Sequence, residues 1–304
     1  MTAFAVLCHG EPERLSFLLE ALDGFDVYIH IDRFSNRKAI LSSIQNNDLS
    51  KVIVISEKES IRGSWGGFSI VEIQLKLIAE FLNRSLSGGP LVFLSGQDYQ
   101  IKSLQEFAKY LETKENFISI QLLDIDKINS GDPTELSRLN RFRKLHIQDF
   151  RFFHKCKDRQ TFRYKFGSLP SAIVRRMKIP NPYFKLDSNY FIGSQWIAIN
   201  ESVCDMLLRN SKALKSEFRF TFCPDELAFQ SLYGRMQIDL GQFRSKVKPA
   251  FDSVIDADFH FIHHSLNHFW ELSELNLIIN SGKFFVRKPS LELLSKLRQL
   301  RLED

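Results

Sequence analysis

Val27-Tyr28-Ile29-His30-Ile31-Asp32 is an apolar run of strand length that stops on a carboxylate. Upstream of it, Pro12 can occupy a first helical position, and Leu15, Leu18, Leu19 and Leu22 recur at helical spacing as far as Asp23-Gly24. Before that helix, Phe4–Leu7 reads as a short buried strand, and downstream Lys51–Ile55 reads as a third. A β-α-β-α-β start predicts a parallel sheet with nucleotide chemistry at the carboxyl ends of its strands.

Two blocks continue the pattern: Ser64-Trp65-Gly66-Gly67-Phe68-Ser69 and Phe93-Leu94-Ser95-Gly96-Gln97-Asp98-Tyr99-Gln100-Ile101-Lys102. Each sets glycine and small polar residues against an apolar or helical run, as a backbone does when it closes on a ligand at a sheet edge. Either block alone is equally the pattern of an ordinary turn. Ser69 with Glu72 forms a capping box ahead of Ile70, Ile73, Leu77 and Phe81, and Ser103 with Glu106 repeats it after a Pro90–Leu94 strand. Both helices are therefore expected to aim free amides and positive dipole ends at the cleft. Residues 125–185 read as loop, Tyr190–Asn200 as strand, and Glu201–Asn210 as helix. A further helix is expected near Pro224 and a last one over Leu291–Leu302. There is no internal repeat, low-complexity tract or linker.

The 304 residues, 44% of them hydrophobic, suit one large α/β domain. Met1-Thr2-Ala3-Phe4 lacks the charged leader of a signal peptide, and no run approaches the ~20 apolar residues of a membrane span. Cys8, Cys156, Cys204 and Cys223 form no CxxC pair, so neither a zinc site nor a disulfide framework is indicated. The expected setting is cytoplasmic. The formal charge of +5 is concentrated: residues 138–178 hold thirteen Lys and Arg against Asp149 and Asp158 alone, and the remainder is mildly acidic. Interleaved Phe142, Phe150, Phe152, Phe153, Phe162, Tyr164 and Phe166 make two readings available for this segment, a solvated face or contact with an anionic membrane surface beside a lipid-linked acceptor. No nucleic-acid motif accompanies it, and nucleic acid is not an expected partner.

In this order the blocks resemble the core-2/I-branching N-acetylglucosaminyltransferases, glycosyltransferase family 14, in the form of a bacterial-type member, from Leu7 to Lys288. The resemblance implies a GT-A-type α/β fold: one catalytic domain over 1–304, with a nucleotide-sugar-binding half (1–125) and an acceptor-binding, catalytic half (126–304). It implies inverting, metal-independent transfer of a sugar, with N-acetylglucosamine foremost and xylose a variant. The donor would be a UDP-sugar and the acceptor a glycan or lipid-linked oligosaccharide at the inner membrane face.

The family's Pro-Asp-Glu motif matches Pro224-Asp225-Glu226, which makes Glu226 the general base and Asp225 its acceptor-side neighbour. Without the resemblance, two acids at a helix start are explained by the helix dipole. The closing Phe-Ala-Arg-Lys stretch is similar to Phe285-Val286-Arg287-Lys288, so Lys288 with Arg287 would neutralise the departing diphosphate. A second basic group expected upstream maps loosely to His268. Asp32 would read the uracil, with Arg62 and Asp98 on the donor side. Gly193-Ser194-Gln195-Trp196 matches a Gly-Ser-x-aromatic motif expected at the sugar, although Trp196 could equally be core. Asp124-Ile125-Asp126 is formally the Asp-x-Asp that holds Mn²⁺ or Mg²⁺ in other transferases and supplies the metal-dependent alternative. Asp256, Asp258, His260, His263 and His264 fit no standard ligand spacing. A non-enzymatic basic binding module is the remaining alternative.

Overall fold

A computed structural model describes residues 2–45, 51–84, 88–149, 170, 172–174, 176–185, 188–239, 241, 254–265 and 267–303. Its centre is a five-stranded sheet built from β1 (Ala3–Cys8), β2 (Asp26–Ile31), β3 (Val52–Val54), β4 (Leu91–Ser95) and a later strand, Ala198–Ile199. The order is β3-β2-β1-β4 and then Ala198–Ile199, which is the one antiparallel member. The mostly parallel α/β architecture is thus the one the sequence predicts.

Alternation along β1 explains its unbroken apolar character. Ala3 and Ala5 face one core with Tyr28 and Phe93, while Phe4, Val6 and Cys8 face another with Val27, Ile29 and Leu94. Helices cover both faces, so neither set of side chains meets water, as parallel sheets require. On one face lies α3 (Ser69–Arg84); on the other lie α1 (Pro12–Ala21), α2 (Arg37–Gln45) and α4 (Leu104–Leu111). Phe4, fully buried, touches Phe25, Phe107 and Phe285, and its burial is worth about 2–3 kcal/mol.

β4 does not end at the sheet edge. It passes through Gly96-Gln97 into β5 (Asp98–Gln100), which joins a second sheet in the order β5-β11-β10-β9. Its partners are β9 (Val254–Asp256), β10 (His260–His263) and β11 (Phe285–Arg287). A side chain at Gly96 would press on Cys8, its Cβ 3.3 Å from Sγ, so this joint runs tight against β1. The Ser95–Asp98 block is therefore the hinge between two sheets.

Residues 125–185 depart from the expected loop. Asp132 caps α6 (Pro133–Arg143) by accepting the Thr134 and Glu135 amides, each at 2.9 Å, with Pro133 at the first helical position. α5 (Ile125–Asn129) precedes it. Tyr190–Asn200 is two short strands in different sheets: β7 (Phe191–Ile192) pairs β6 (Gln121–Leu122), and β8 (Ala198–Ile199) pairs β4. α7 (Glu201–Arg209) follows as expected, then α8 (Ser211–Phe218). Near Pro224 the chain makes a 3₁₀ turn, Pro224–Glu226, before α9 (Ala228–Asp239). After α10 (Leu275–Ile279), the last helix is α11 (Leu291–Glu303). Among the described residues no helix is long and apolar enough to cross a membrane, and Cys8, Cys204 and Cys223 are free. Much of the basic segment, including residues 150–169 and Cys156, lies outside the described residues.

Candidate active site

The strand order β3-β2-β1-β4 puts the topological switch between β1 and β4. Connections leave in opposite directions there, and a crevice opens at the carboxyl ends of the strands. His9 follows β1, Asp32 follows β2, and Gly96-Gln97 follow β4.

Asp32 organises the end of β2 through backbone amides. Its Oδ1 accepts the Phe34 amide at 2.9 Å and its Oδ2 the Gly63 amide at 2.6 Å, which staples residues 61–63 to the end of β2. Buried His30 adds a third tie, its Nε2 accepting the Ile61 amide at 2.9 Å. Burial pulls the His30 pKa down to about 4, so the ring is neutral and free to accept. Arg62 rides on the stapled loop, its guanidinium 5.7 Å from the Phe34 ring centre. It lines a cavity of about 740 Å³ with Arg33, Ser64, Asp149 and Arg219. That cavity reaches the stapled loop and is lined by neither Glu226 nor Lys288.

His9 has no place in the sequence reading. Its pKa is lowered first by crowding that desolvates the ring and next by Arg287, with Lys288 adding and Asp32 and Glu11 opposing. A histidine directly after the first strand is the signal that would have found it.

The Ser64–Ser69 block faces the candidate base, not empty space. Gly66 has φ +74°, a conformation that suits glycine, and its carbonyl accepts the Cys223 amide at 3.1 Å. Trp65, 59% exposed, meets the Phe222 ring edge-on at 5.4 Å. The amides of α3 are not free as expected, because Asp149 takes them. Its Oδ2 accepts the Ser69 amide at 3.2 Å and its Oδ1 the Ser69 hydroxyl at 2.6 Å. A Cβ on Gly67 would lie 2.2 Å from Oδ1, so the glycine makes room for a cap drawn from 80 residues away. Ser103 does cap α4, accepting the Glu106 amide at 3.2 Å.

Glu226 closes the 3₁₀ turn after Cys223, whose φ of 50° costs on the order of 1 kcal/mol in a non-glycine residue. Arg141 of α6 holds this turn. Its Nε donates to the Phe222 carbonyl at 3.2 Å, and its Nη2 donates to the Cys223 carbonyl at 3.0 Å and to Glu226 Oε2 at 2.9 Å. The Glu226 side chain stays 35% exposed. Asp225 differs sharply. Its Oδ1 is buried without a partner, and burial, then the Glu226 charge, raises its pKa to about 7. The Gly193 amide donates to the Glu226 carbonyl at 3.0 Å, and Gln230 donates to the Ser194 carbonyl at 2.8 Å. The Gly-Ser block is thereby fastened to the turn that carries Glu226.

Trp196 is buried, and its indole carries the Arg287 guanidinium 4.8 Å from the ring centre instead of presenting an open face. Asp98 is likewise buried: Arg287 Nη1 donates to its Oδ1 at 3.4 Å, and His260 Nε2 lies 3.1 Å from its Oδ2. Lys288 leaves β11 with φ 57°, donating its amide to Gln97 O at 2.9 Å, and its Nζ lies 5.6 Å from the Phe269 ring centre. Arg287 stacks on Trp196, in the block whose Gly193 amide holds the Glu226 carbonyl, and Lys288 next to it is bonded to Gln97 just past β4, so this strand end runs between the end of β4 and the Pro224–Glu226 turn.

The remaining expectations fall elsewhere. Asp124 is a helix cap, its Oδ1 accepting the Lys127 amide at 3.0 Å, and Asp126 is exposed. Among the described residues no three His, Cys, Asp or Glu side chains are grouped to hold a metal. His268 stacks on His263 at 4.1 Å and faces Glu274 at 3.1 Å, while His264 stacks on the other side of His263 at 4.2 Å. Of these Asp and His residues, His260 is fully buried against Asp98, and the Asp256 side chain lies outside what is described.

Comparison with known proteins sets this geometry in context. Among solved structures, mouse xyloside xylosyltransferase 1 in its apo form is 9% identical, with 96% of this chain and 99% of that one covered at a TM-score of 0.38. HddC from Yersinia pseudotuberculosis is 13% identical, with 68% and 80% covered at 0.32. Likenesses this distant carry no argument about function. No curated protein matches the chain. The family model described as "Core-2/I-Branching enzyme" matches residues 2–249. That span takes in most of the chain, from the first strand past the Pro224–Glu226 turn, and the chain therefore belongs to the Core-2/I-branching enzyme family of glycosyltransferases.

Proposed function

We propose that the chain transfers a sugar, N-acetylglucosamine foremost, from a UDP-sugar to a glycan hydroxyl with inversion at the anomeric carbon. The observation that carries this reading is Glu226, held at 2.9 Å by Arg141 yet 35% exposed, on a turn whose carbonyl takes the Gly193 amide at 3.0 Å, in the same short block as Trp196, which stacks on Arg287 at 4.8 Å. A carboxylate and a cation are thereby tied to one short block. Glu226 takes the acceptor hydroxyl proton as that oxygen attacks the anomeric carbon from the face opposite the diphosphate. The bond from the anomeric carbon to the diphosphate oxygen breaks, and UDP leaves with its new charge facing Arg287, Lys288 and His9. Asp32 and Arg62 serve the nucleoside, the first by fixing the loop that carries the second. Gly193, Ser194 and Asp225 border the acceptor.

Fixed cations at the leaving group perform the task a divalent ion performs elsewhere, and Asp124 is engaged as a helix cap. We therefore read the transfer as metal-independent. The acceptor is a glycan, lipid-linked in the simplest arrangement, with residues 138–178 near an anionic membrane face. Arg141 is an exception within that segment, because it points inward to Glu226.

The test is turnover and binding of a UDP-sugar panel with and without EDTA, for wild type and Glu226→Gln. Turnover of one UDP-sugar that resists EDTA and falls ~10²–10⁴-fold in Glu226→Gln, while UDP still binds, supports the reading. Loss of activity in EDTA would return the chemistry to a metal. A folded protein that binds no UDP-sugar would overturn the transferase mechanism.

A further inference from the structure

Asp98 and His260 form a buried pair that the transfer chemistry does not use directly. Asp98 lies opposite Arg287 in the antiparallel register of β5 and β11, and His260 lies opposite Phe285 on the neighbouring strand. The carboxylate is completely enclosed. Its Oδ2 accepts the Ser95 amide at 2.7 Å and meets His260 Nε2 at 3.1 Å, and its Oδ1 faces Arg287 Nη1 at 3.4 Å. The His260 ring is fixed between Trp196 at 5.0 Å and Phe285 at 5.4 Å, and its Nδ1 is buried without a partner. Burial first, against the opposing hydrogen bond from Asp98, lowers its pKa, so the neutral ring donates through Nε2. Trp196 covers one face of the guanidinium. Thus Arg287 is held by a carboxylate at one edge and an indole on one face, and 18% of its side chain remains exposed.

This arrangement has an electrostatic cost. A buried carboxylate beside Arg287 cancels much of its charge, which would weaken a site that attracted phosphate by charge alone. An oriented fork of N–H groups recovers that loss, because a planar guanidinium recognises phosphate oxygens by geometry, whereas lysine does so as a point charge. We propose that Asp98 and His260 are positioning residues: Asp98 through its contact with Arg287, and His260 through its contact with Asp98, fix the orientation in which the remaining N–H groups of Arg287 meet the leaving diphosphate. Lys288 then supplies the net charge. This inference rests on the proposed UDP-sugar reaction.

The two roles for Asp98 differ in sign. If charge governs binding, Asp98→Asn raises affinity for UDP, since it uncovers Arg287. If orientation governs, Asp98→Asn lowers it. The experiment titrates UDP and uridine separately into wild type, Asp98→Asn, His260→Gln and Arg287→Ala, with melting curves as a check on folding. The expected result is a loss of roughly tenfold or more in UDP affinity for Asp98→Asn and a smaller loss for His260→Gln, the scale typical of partners that orient binding side chains. Uridine affinity stays at the wild-type value in both. The double variant Asp98→Asn/Arg287→Ala binds UDP no more weakly than Arg287→Ala, because the two act as one unit. Unchanged or increased UDP affinity overturns the inference, and so does an equal loss of uridine. Should Asp98→Asn not fold, His260→Gln, which keeps the Asp98 charge, decides by the same comparison. A wild type that binds no UDP would instead remove the reaction on which the inference rests.

Discussion

Gly193 offers the sharpest test of how the base-bearing turn is held. A Cβ at this position would sit 1.6 Å from the Ser119 carbonyl oxygen, against a floor of 3.0 Å that real Cβ contacts respect. Gly193→Ala therefore requires the backbones of residues 119 and 193 to separate by about 1.4 Å. Neither is a flexible side-chain tip, and both flank the β6–β7 pairing of Gln121 with Ile192. The Gly193 amide also carries the 3.0 Å bond to the Glu226 carbonyl, so the displacement is passed to the turn presenting Glu226. Overpacking of this kind costs about 1–3 kcal/mol, and at about 2–4 °C per kcal/mol the melting temperature falls by roughly 5 °C. A misplacement near 1 Å at a reacting group costs about 10²-fold in rate. UDP-sugar turnover should therefore fall about 100-fold while UDP binding, which depends on the other side of the crevice, is retained. A Gly193→Ala protein with wild-type kcat and an unchanged melting temperature would refute the argument. Gly10→Ala serves as the stability control, because its Cβ meets nothing within 4 Å.

Removing the long-range cap with Asp149→Ala should destabilise the protein by about 1–2 kcal/mol, read by urea unfolding, since Ser69 loses both its amide and its hydroxyl partner. His30 has a folded pKa near 4, below its unfolded value of 6.5, so the unfolded chain binds its proton first as pH falls. Its contribution is fully present above about pH 6.5 and is lost, by about 3 kcal/mol, on descending to pH 4. Urea unfolding of His30→Gln should accordingly lack that part of the acid slope. Asp225 acts in the opposite sense: its folded pKa of about 7 lies above 3.8, so burial of its charge destabilises the fold progressively as pH rises between those values. Asp225→Asn should therefore gain stability over wild type as pH is raised from 4 to 7, and a constant difference across that range would count against a buried carboxyl.

The parts legible in sequence were those with a local signature. Short continuous apolar runs located β1 and β2, and a period-3.6 stripe located α1, because each element carries the apolar residues that must be covered. Gly66 and Gly96 mark close approaches of the backbone, but to Phe222 and Cys8 of the protein itself, not to an open cleft. Less legible were contacts made across large separations. Nothing near Ser69 announces that Asp149 will cap its helix, and nothing in a basic segment distinguishes Arg141, which turns inward, from its solvated neighbours. The helix over Pro133–Arg143 had a local signal, Asp132-Pro133 with Glu135 three residues after the cap, that the density of charge obscured. Trp196 could not be resolved between sugar platform and core, because its covering partner, Arg287, comes from a strand 91 positions later.

The cap of α3 has a consequence for how the chain is made. Synthesis proceeds from the amino end, and when the ribosome has delivered β1 to β4 and α3, the partners that finish them are still to come. The Ser69 amide awaits Asp149, the Gly66 carbonyl awaits Cys223, and the free edge of β4 awaits Ala198–Ile199. An emerging amino-terminal half therefore presents an open strand edge and an uncapped helix, features that invite wrong pairing. The crevice forms only when β11, more than 280 residues from the start, threads Arg287 against Asp98. Maturation of the site and completion of the chain are thus one event.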